Sequence, residues 1–366
     1  MKNQELTYWT ALALINRVYT RRKTELYLAC AEREPDNPII TLFDNSGLWP
    51  ELGLTEQETE IFSEVRSRLT NVSFMVEDLL NQGYRIIPFI SPDYPPQMLK
   101  SLENRAPITL FAKGNIDLLR QPTTGIVGAR NATEISLEFT ARVARREVEQ
   151  GRVIVSGGAK GVDNQALMSA LEADGRSIIV LPQGITTYGS GYRENYRHFT
   201  RGNLLAISTF RPDAPWNSGL AMMRNGFIYA LSERIFVAQS NDNGGTWEGA
   251  NQGINAGYPV FVRQPQKGED NANQALIDLG GTPVDMDGNA MESPSPHISP
   301  EQRIGKALET GPKSAADILK ITQLGWTAPR LRKLLDTMPE IEQFQEKRKK
   351  LYRLRGNNSG QVCKLF

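Results

Sequence analysis

Apolar and polar positions recur along this chain at two different periods, and the change from one to the other marks its parts. In the first hundred residues the period is helical. The stretch "LTEQETEIFSEVRSRL" offers Thr55 as an N-cap with Glu58 three residues on, a capping box ahead of the apolar stripe Ile61, Val65 and Leu69. A second helix is predicted in "SFMVEDLLNQG", closed by Gly83. "YRIIPFISPDYPPQML" then reads as extended and proline-stopped, and "APITLFAKG" as a short strand leading out. Residues 1–105 are expected to form a small helical domain with an extended exit.

From Thr123 the pattern turns to short, continuously apolar runs: "TTGIVGAR", "RVIVSGG", "RSIIVLPQG", "NLLAISTF", "RIFVAQS" and "YPVFVRQ". Helical stretches ending at glycine lie between them, such as "SLEFTARVARREVEQG", "VDNQALMSALEADG" and "TWEGANQGINAG". Apolar strands alternating with helices predict a parallel sheet covered on both faces, so residues 106–285 read as a Rossmann-like α/β domain. Such sheets hold ligands at the carboxyl ends of their strands, which makes the loops after "GIVGA", "VIVS", "IIVLP" and "IFVAQ" the candidate site. A Pro/Ser/Gly-rich linker is expected at 286–299. In 300–356 three helices, the last with Thr327 as N-cap, precede "IEQFQEKRKKLYRLR", which alternates about a charged turn as a hairpin would. That combination predicts a C-terminal winged helix, with a tail at 357–366.

Composition narrows this picture without changing it. The chain has 366 residues, 40% hydrophobic and 23% charged, ample for two or three domains. Its two cysteines, Cys30 and Cys363, form no CxxC, so neither a disulfide framework nor a metal site is expected. The N-terminal region offers a short amphipathic pattern and no apolar segment of membrane-spanning length, which makes the cytoplasm the expected compartment and excludes a membrane partner. The net charge of +1 conceals an uneven distribution, because from residue 301 onward 14 Lys and Arg stand against 7 Asp and Glu. A solvated basic face and a polyanion partner both fit that tail.

The chemistry centres on "VSGGAKGVD". A strand that ends in glycines and opens a helix presents free N–H groups and a positive dipole end, both suited to phosphate, and Lys160 adds a mobile cation. The sequence is neither GxxxxGK[ST] nor GxGxxG, which argues against a P-loop enzyme or a dehydrogenase. Glycines that simply permit a tight turn are the competing reading. Three basic residues take equivalent positions: Arg130 after the first strand of this domain, Lys160 after the second, and Arg224 ahead of the helix leading to "RIFVAQ". Their convergence at one sheet edge would suit phosphates spaced along a strand.

In this order, "GIVGARNAT", "VSGGAKGVDNQAL", "RENYRHF" and "MRNGFIYALS" resemble the DNA-processing protein A family (DprA/Smf). "DYPPQML" before "APITLFAKGNIDLL" and "NQALIDLGGTPV" extend the resemblance over most of the chain. It implies a single-stranded DNA-binding protein without catalysis or cofactor, usually a homodimer, that delivers strands to a RecA-like recombinase in natural transformation. Carried over by position, it implies DNA contacts at Arg130, Lys160, Arg224 and Asn225, with Ser156, Gly157, Gly158 and Gly161 shaping the pocket. Arg193, Asn195 and Arg197 are secondary candidates. Asp163 is expected to tie the helix start to the turn.

The departures from that family are specific. Gly226 stands where the family commonly has another arginine, Thr209 replaces the usual acid in "AISTF", and "TYGSGYRENYRHF" lengthens a connection. In "NGGTWEGANQ", Gly244, Gly245 and Thr246 followed by Glu248 resemble the loop of nucleoside-monophosphate phosphoribohydrolases, with the glutamate one residue too close and no preceding proline. A nucleotide-binding or nucleotide-hydrolysing protein is therefore the alternative, and a winged-helix regulator of duplex DNA a third reading. His198 lacks a spaced nucleophile or ligand partner and is assigned to a packing or surface role. Tyr188, Tyr192, Tyr196 and Phe199 are secondary candidates for base stacking.

Overall fold

Five helices come first, α1 (Asn3–Leu14), α2 (Thr20–Arg33), α3 (Pro38–Asp44), α4 (Glu56–Ser67) and α5 (Leu69–Asn81); α1 is buried all round from Leu6 to Leu12, and the other four each bury one face. The start of α4 is the expected capping box. Thr55 Oγ1 accepts the Glu58 amide at 3.2 Å while the Glu58 carboxylate accepts the Thr55 amide at 2.9 Å. The computed structural model describes residues 2–292, 300–322, 324, 326, 328–346 and 349–355, so Thr327, Cys363, the 347–348 turn, half of the linker and the 357–366 tail lie outside the described residues. The described chain divides into two compact units, Met1–Ala238 and Gln239–Phe366. Among the described residues no helix is long and apolar enough to cross a membrane.

The first unit is an α/β assembly. After β1 (Arg85–Pro88) come α6 (Pro96–Leu102), β2 (Thr109–Gly114), β3 (Thr123–Val127), α7 (Glu134–Glu149), β4 (Val153–Ser156), α8 (Val162–Glu172) and β5 (Ser177–Val180). Next are α9 (Gly189–Glu194), α10 (Tyr196–Arg201), β6 (Leu204–Ser208), α11 (Ser218–Leu231) and β7 (Arg234–Val237). The strands lie in the order β1-β2-β6-β5-β4-β3-β7. From β6 to β7 every pair is parallel, with Gly125 of β3 opposite Val155 of β4 and Ile235 of β7. The chain steps outward from β3 to β6 and returns through α11 to the other side of β3, which makes β3 the switch point of a doubly wound sheet.

Two features differ from expectation. The sheet is mixed, since β2 joins β6 antiparallel and β1 joins β2 antiparallel, with Ile86 opposite Phe111. The "PPQML" segment expected to be extended starts α6, because proline at the first helical position costs no backbone hydrogen bond. One apolar core runs through this unit, from Trp9, Leu12, Phe43 and Phe62 on the helices to Phe111, Leu204 and Ala206 on the sheet.

Lys23 is a polar exception within the helices, 5% exposed, its ammonium donating to the Ala13 carbonyl at 3.3 Å near the end of α1. Burial pulls it from its ordinary 10.5 down to about 8. The folded value lies below the unfolded one, so between about pH 8 and 10.5 the unfolded chain holds more protons and stability rises with pH. Lys23→Met is expected to gain about 3 kcal/mol at pH 7, as the drop from 10.5 to about 8 implies, and to lose that pH dependence in urea titrations at pH 7 and 10.

The second unit holds α12 (Gly245–Asn255), β8 (Val260–Arg263), α13 (Asn273–Asp278) and β9 (Thr282–Val284), with β8 and β9 parallel. Then follow α14 (Pro300–Glu309), β10 (Lys313–Ser314), α15 (Ala315–Thr322), α16 (Ala328–Leu335), β11 (Ile341–Glu346) and β12 (Lys349–Leu354). The last two strands pair antiparallel, and the two residues of β10 pair with Tyr352 and Leu351. Ile304, Leu308, Ile318, Leu331, Leu335 and Tyr352 close a core among these elements.

Candidate functional site

The turns after β3 and β4 are built against each other. The Val162 amide donates to the Ala129 carbonyl at 3.2 Å, and Ser156 Oγ donates to the Ile126 carbonyl at 2.8 Å, which locks the two strand ends together. Gly161 has φ +86° and lies so close to the Ala129 and Arg130 carbonyl oxygens that a Cβ would overlap them. A side chain at this position is thus excluded twice, by backbone strain and by contact. Arg130 and Lys160, one on each turn, are both exposed.

Arg224 does not share their surface position. The sequence places it ahead of its helix, whereas α11 starts at Ser218, capped by Asn217, whose side-chain oxygen accepts the Leu220 amide at 2.9 Å. Arg224 therefore sits in the second turn of the helix, 3% exposed, and its guanidinium lies over Gly157, where a Cβ would overlap it. Nη1 donates to the Val180 carbonyl at 3.1 Å, at the carboxyl end of β5, and stands 3.8 Å from Asp163 Oδ2. Among the described residues its Nε has no acceptor. The cation expected to fork a phosphate instead holds the glycine turn from beneath.

Asp163 is the other half of that device. Burial pushes its carboxyl up from the ordinary range, while the Arg224 charge and the Ala159 and Gly157 amides pull it back. It ties the helix start to the turn as expected, and it is also the counter-charge of Arg224, which sequence reasoning missed because the two residues lie far apart in the chain. The free N–H groups expected at the helix start are displaced. The first helical amides are taken: Val162 donates to Ala129, and Asn164 donates to Ala159 at 2.9 Å. The Gly158, Lys160 and Gly161 amides have no backbone acceptor among the described residues, so the donors left for an anion lie on the turn itself.

The secondary candidates are distributed differently. Arg193 and Arg197 are exposed, whereas the Asn195 side chain donates to the Gly191 carbonyl at 3.0 Å, one helical turn back. Tyr188, Tyr192 and Phe199 form a chain of edge-on rings, each centroid 5.2 Å from the next, packed on the core. Burial pushes the Tyr188 phenol up to about 12. Of the four rings proposed for stacking, Tyr196 is the one held out in solvent, 66% exposed. Asn225 is half-buried, and Gly226 faces open space, with no atom within 4 Å of the point a Cβ would occupy. Trp216, Met222 and Met223 are exposed around the start of α11, an apolar rim that periodicity did not single out.

Gly244, Gly245 and Thr246 belong to the second unit. Gly244 precedes α12 with φ +86°, and Glu248 is an exposed acid in the first turn of that helix, its amide bonded to the Gly244 carbonyl at 3.0 Å. A hydrated glutamate complements the helix dipole there. Among the described residues no cluster of His, Cys, Asp and Glu could hold a metal.

Comparison with known proteins places these features in a family. The model of the family described as DNA recombination-mediator protein A matches residues 85–292. DNA processing protein DprA of Bacillus subtilis is 34% identical over 185 residues, 50% of this chain and 61% of that protein. DNA processing protein DprA of Streptococcus pneumoniae is 30% identical over 192 residues, 52% of this chain and 67% of that protein. The chain thus spans about three fifths of the Bacillus relative. The X-ray structure of DNA processing protein A from Streptococcus pneumoniae superposes with a TM-score of 0.61 at 22% identity, covering 78% of this chain and 95% of that one, and shares its fold.

Proposed function

The chain belongs to the DNA recombination-mediator protein A (DprA/Smf) family, and from that premise we propose that it binds single-stranded DNA at the paired turns after β3 and β4. The observation that carries this reading is the placement of Arg130 and Lys160, both exposed, on two turns joined at Gly161, with three uncommitted turn amides between them. Cations and amides in one shallow cradle suit successive phosphates of a backbone and leave the bases free. Arg224 and Asp163 position the cradle from below, and Asn225, half-buried next to Arg224 on α11, is proposed as a further DNA contact. The work proposed for the protein is DNA processing or recombination as a homodimer, with strand delivery to a RecA-like recombinase. The three helices and three-stranded sheet after residue 300 are read as a winged helix in an accessory role.

Gel shifts with single-stranded and duplex oligonucleotides of equal length, across a salt series, test this. The single strand is expected to bind more tightly, with log K falling by about 0.7 per neutralised phosphate against log salt. Arg130→Ala/Lys160→Ala should flatten that slope by about 1.4 by the same rule. Gly226→Arg, which enters open space, should steepen it by about 0.7. An unchanged slope in the folded double variant would place the binding site elsewhere.

A further inference from the structure

A second cavity lies away from the glycine turns, at the amino-terminal end of β6. It measures about 510 Å³ and is lined by Lys113, Gly114, Tyr192, Tyr196, Phe199 and Thr200, among others. That volume falls within the roughly 300–1,000 Å³ of small-molecule sites. No carboxylate lines it. Its one charge is the Lys113 ammonium, which stands 4.4 Å from the Tyr84 ring centre and 4.9 Å from that of Tyr192. The ammonium donates to the Gln82 carbonyl at 3.4 Å. An ammonium has three N–H groups, so two remain for a ligand.

We propose that this cavity is a nucleotide site, taking a planar base on Tyr196 and Phe199 and the attached phosphate on Lys113. A cationic ligand is disfavoured, because the Lys113 ammonium already supplies a positive charge over Tyr84 and Tyr192 and no acid lines the cavity to offset a second one. A purely apolar ligand would leave the two free N–H groups of Lys113 covered and unpaired, which disfavours it. A flat, anionic ligand satisfies both ends of the cavity. Tyr196 has an exposed ring, and Phe199 meets Tyr192 on one side at 5.2 Å, so two aromatic surfaces are presented to a base.

The position of the cavity identifies two sources of such a ligand. Helices α9 and α10 carry the chain from the carboxyl end of β5, which neighbours β4 and its glycine turn, to the amino end of β6 at the cavity, and Arg193, Arg197 and Arg201 on these helices are exposed. Among the described residues these three arginines make no ion pair. A single strand leaving the glycine turns would follow this basic path and seat one of its nucleotides in the cavity, a source that rests on the function proposed above. A free mononucleotide carries the same base and phosphate.

Three surface-accessible variants of the full chain separate the outcomes: Tyr196→Ala, Lys113→Met, and Thr200→Trp, which fills the cavity. Titration calorimetry with dAMP, and crosslinking of an oligonucleotide carrying 5-iododeoxyuridine, supply the readouts. dAMP is expected to bind and to lose at least fivefold in affinity in Lys113→Met and Thr200→Trp, while Arg130→Ala/Lys160→Ala leaves it unchanged. Crosslinks at Tyr196, with a five- to tenfold loss of strand affinity in Tyr196→Ala, assign the strand as the source. dAMP binding without those strand effects assigns the free nucleotide. If the wild-type protein binds no strand, the function proposed above fails and the dAMP arm still decides this site. The proposal is overturned if all three variants fold by circular dichroism and neither dAMP nor strand binding responds to them.

Discussion

Arg224→Ala is expected to cost about 3–5 kcal/mol of folding stability, because it removes one member of a buried ion pair and strands the other. Arg224 and Asp163 are both under 10% exposed, and without the guanidinium the carboxylate would be left with its hydrogen bonds from the Ala159 and Gly157 amides. Burial already pushes the Asp163 carboxyl upward, so its loss of partner raises the folded-state pKa further above the unfolded value. The sign follows from linkage: the cost is smallest in acid, where the carboxyl is protonated in both states, and grows as pH rises through the folded pKa. Adding Asp163→Asn should recover part of the loss. Urea denaturation of the wild type, both single variants and the double variant at pH 5 and 7.5 measures the coupling. Additive single effects at both pH values would show that the pair does not act as a unit.

Glu147→Ala is expected to cost about 3–4 kcal/mol, by the same logic applied at the opposite end of the sheet. Glu147 has no exposed surface, and its Oε2 accepts from Thr124 Oγ1 at 2.6 Å and pairs with Arg234 at 2.6 Å and Arg152 at 3.5 Å. Removing it leaves two largely covered guanidiniums facing each other beneath β3, β4 and β7. Arg152 keeps Glu233 at 2.8 Å, which places the cost toward the lower end of the range. Glu147→Gln, which retains the acceptor and the volume, should lose about half as much, since a hydrogen bond to a charged group is worth about 1.5–3 kcal/mol. Thermal and urea unfolding check both variants. The glycine turns lie at the other strand ends, so single-strand binding by the folded variants should match the wild type.

The strands of the parallel core could be placed from the sequence because each is short, apolar on both faces and bounded by glycine, a pattern that leaves few alternatives. Thr55 and Glu58 were equally readable, since a capping box lies within four residues. Asn217, which caps α11, carries a comparable local signal for the start of that helix. The antiparallel additions β1 and β2 were less legible. Nothing local tells Ile86 that it will lie opposite Phe111; that register follows from the common core of helices and sheet.

The candidate site divides in the same way. Which residues supply the turn, that it needs glycines, and that Arg130 and Lys160 flank it were determined by the sequence alone, because turn chemistry and the position of a loop after a strand are local properties. The family resemblance rests on those same short motifs. Tertiary structure decided what each basic residue does. Arg224 is a buried strut because α11 returns across the sheet and lays the side chain over Gly157, and burial obliges it to meet Asp163 and the Val180 carbonyl. Tyr188 and Tyr192 became packing while Tyr196 stayed exposed, since one face of α9 and α10 lies on the core and the other does not. Charge and ring are fixed by residue type, but solvent exposure depends on neighbours distant in the chain, and exposure is what separates a binding group from a structural one.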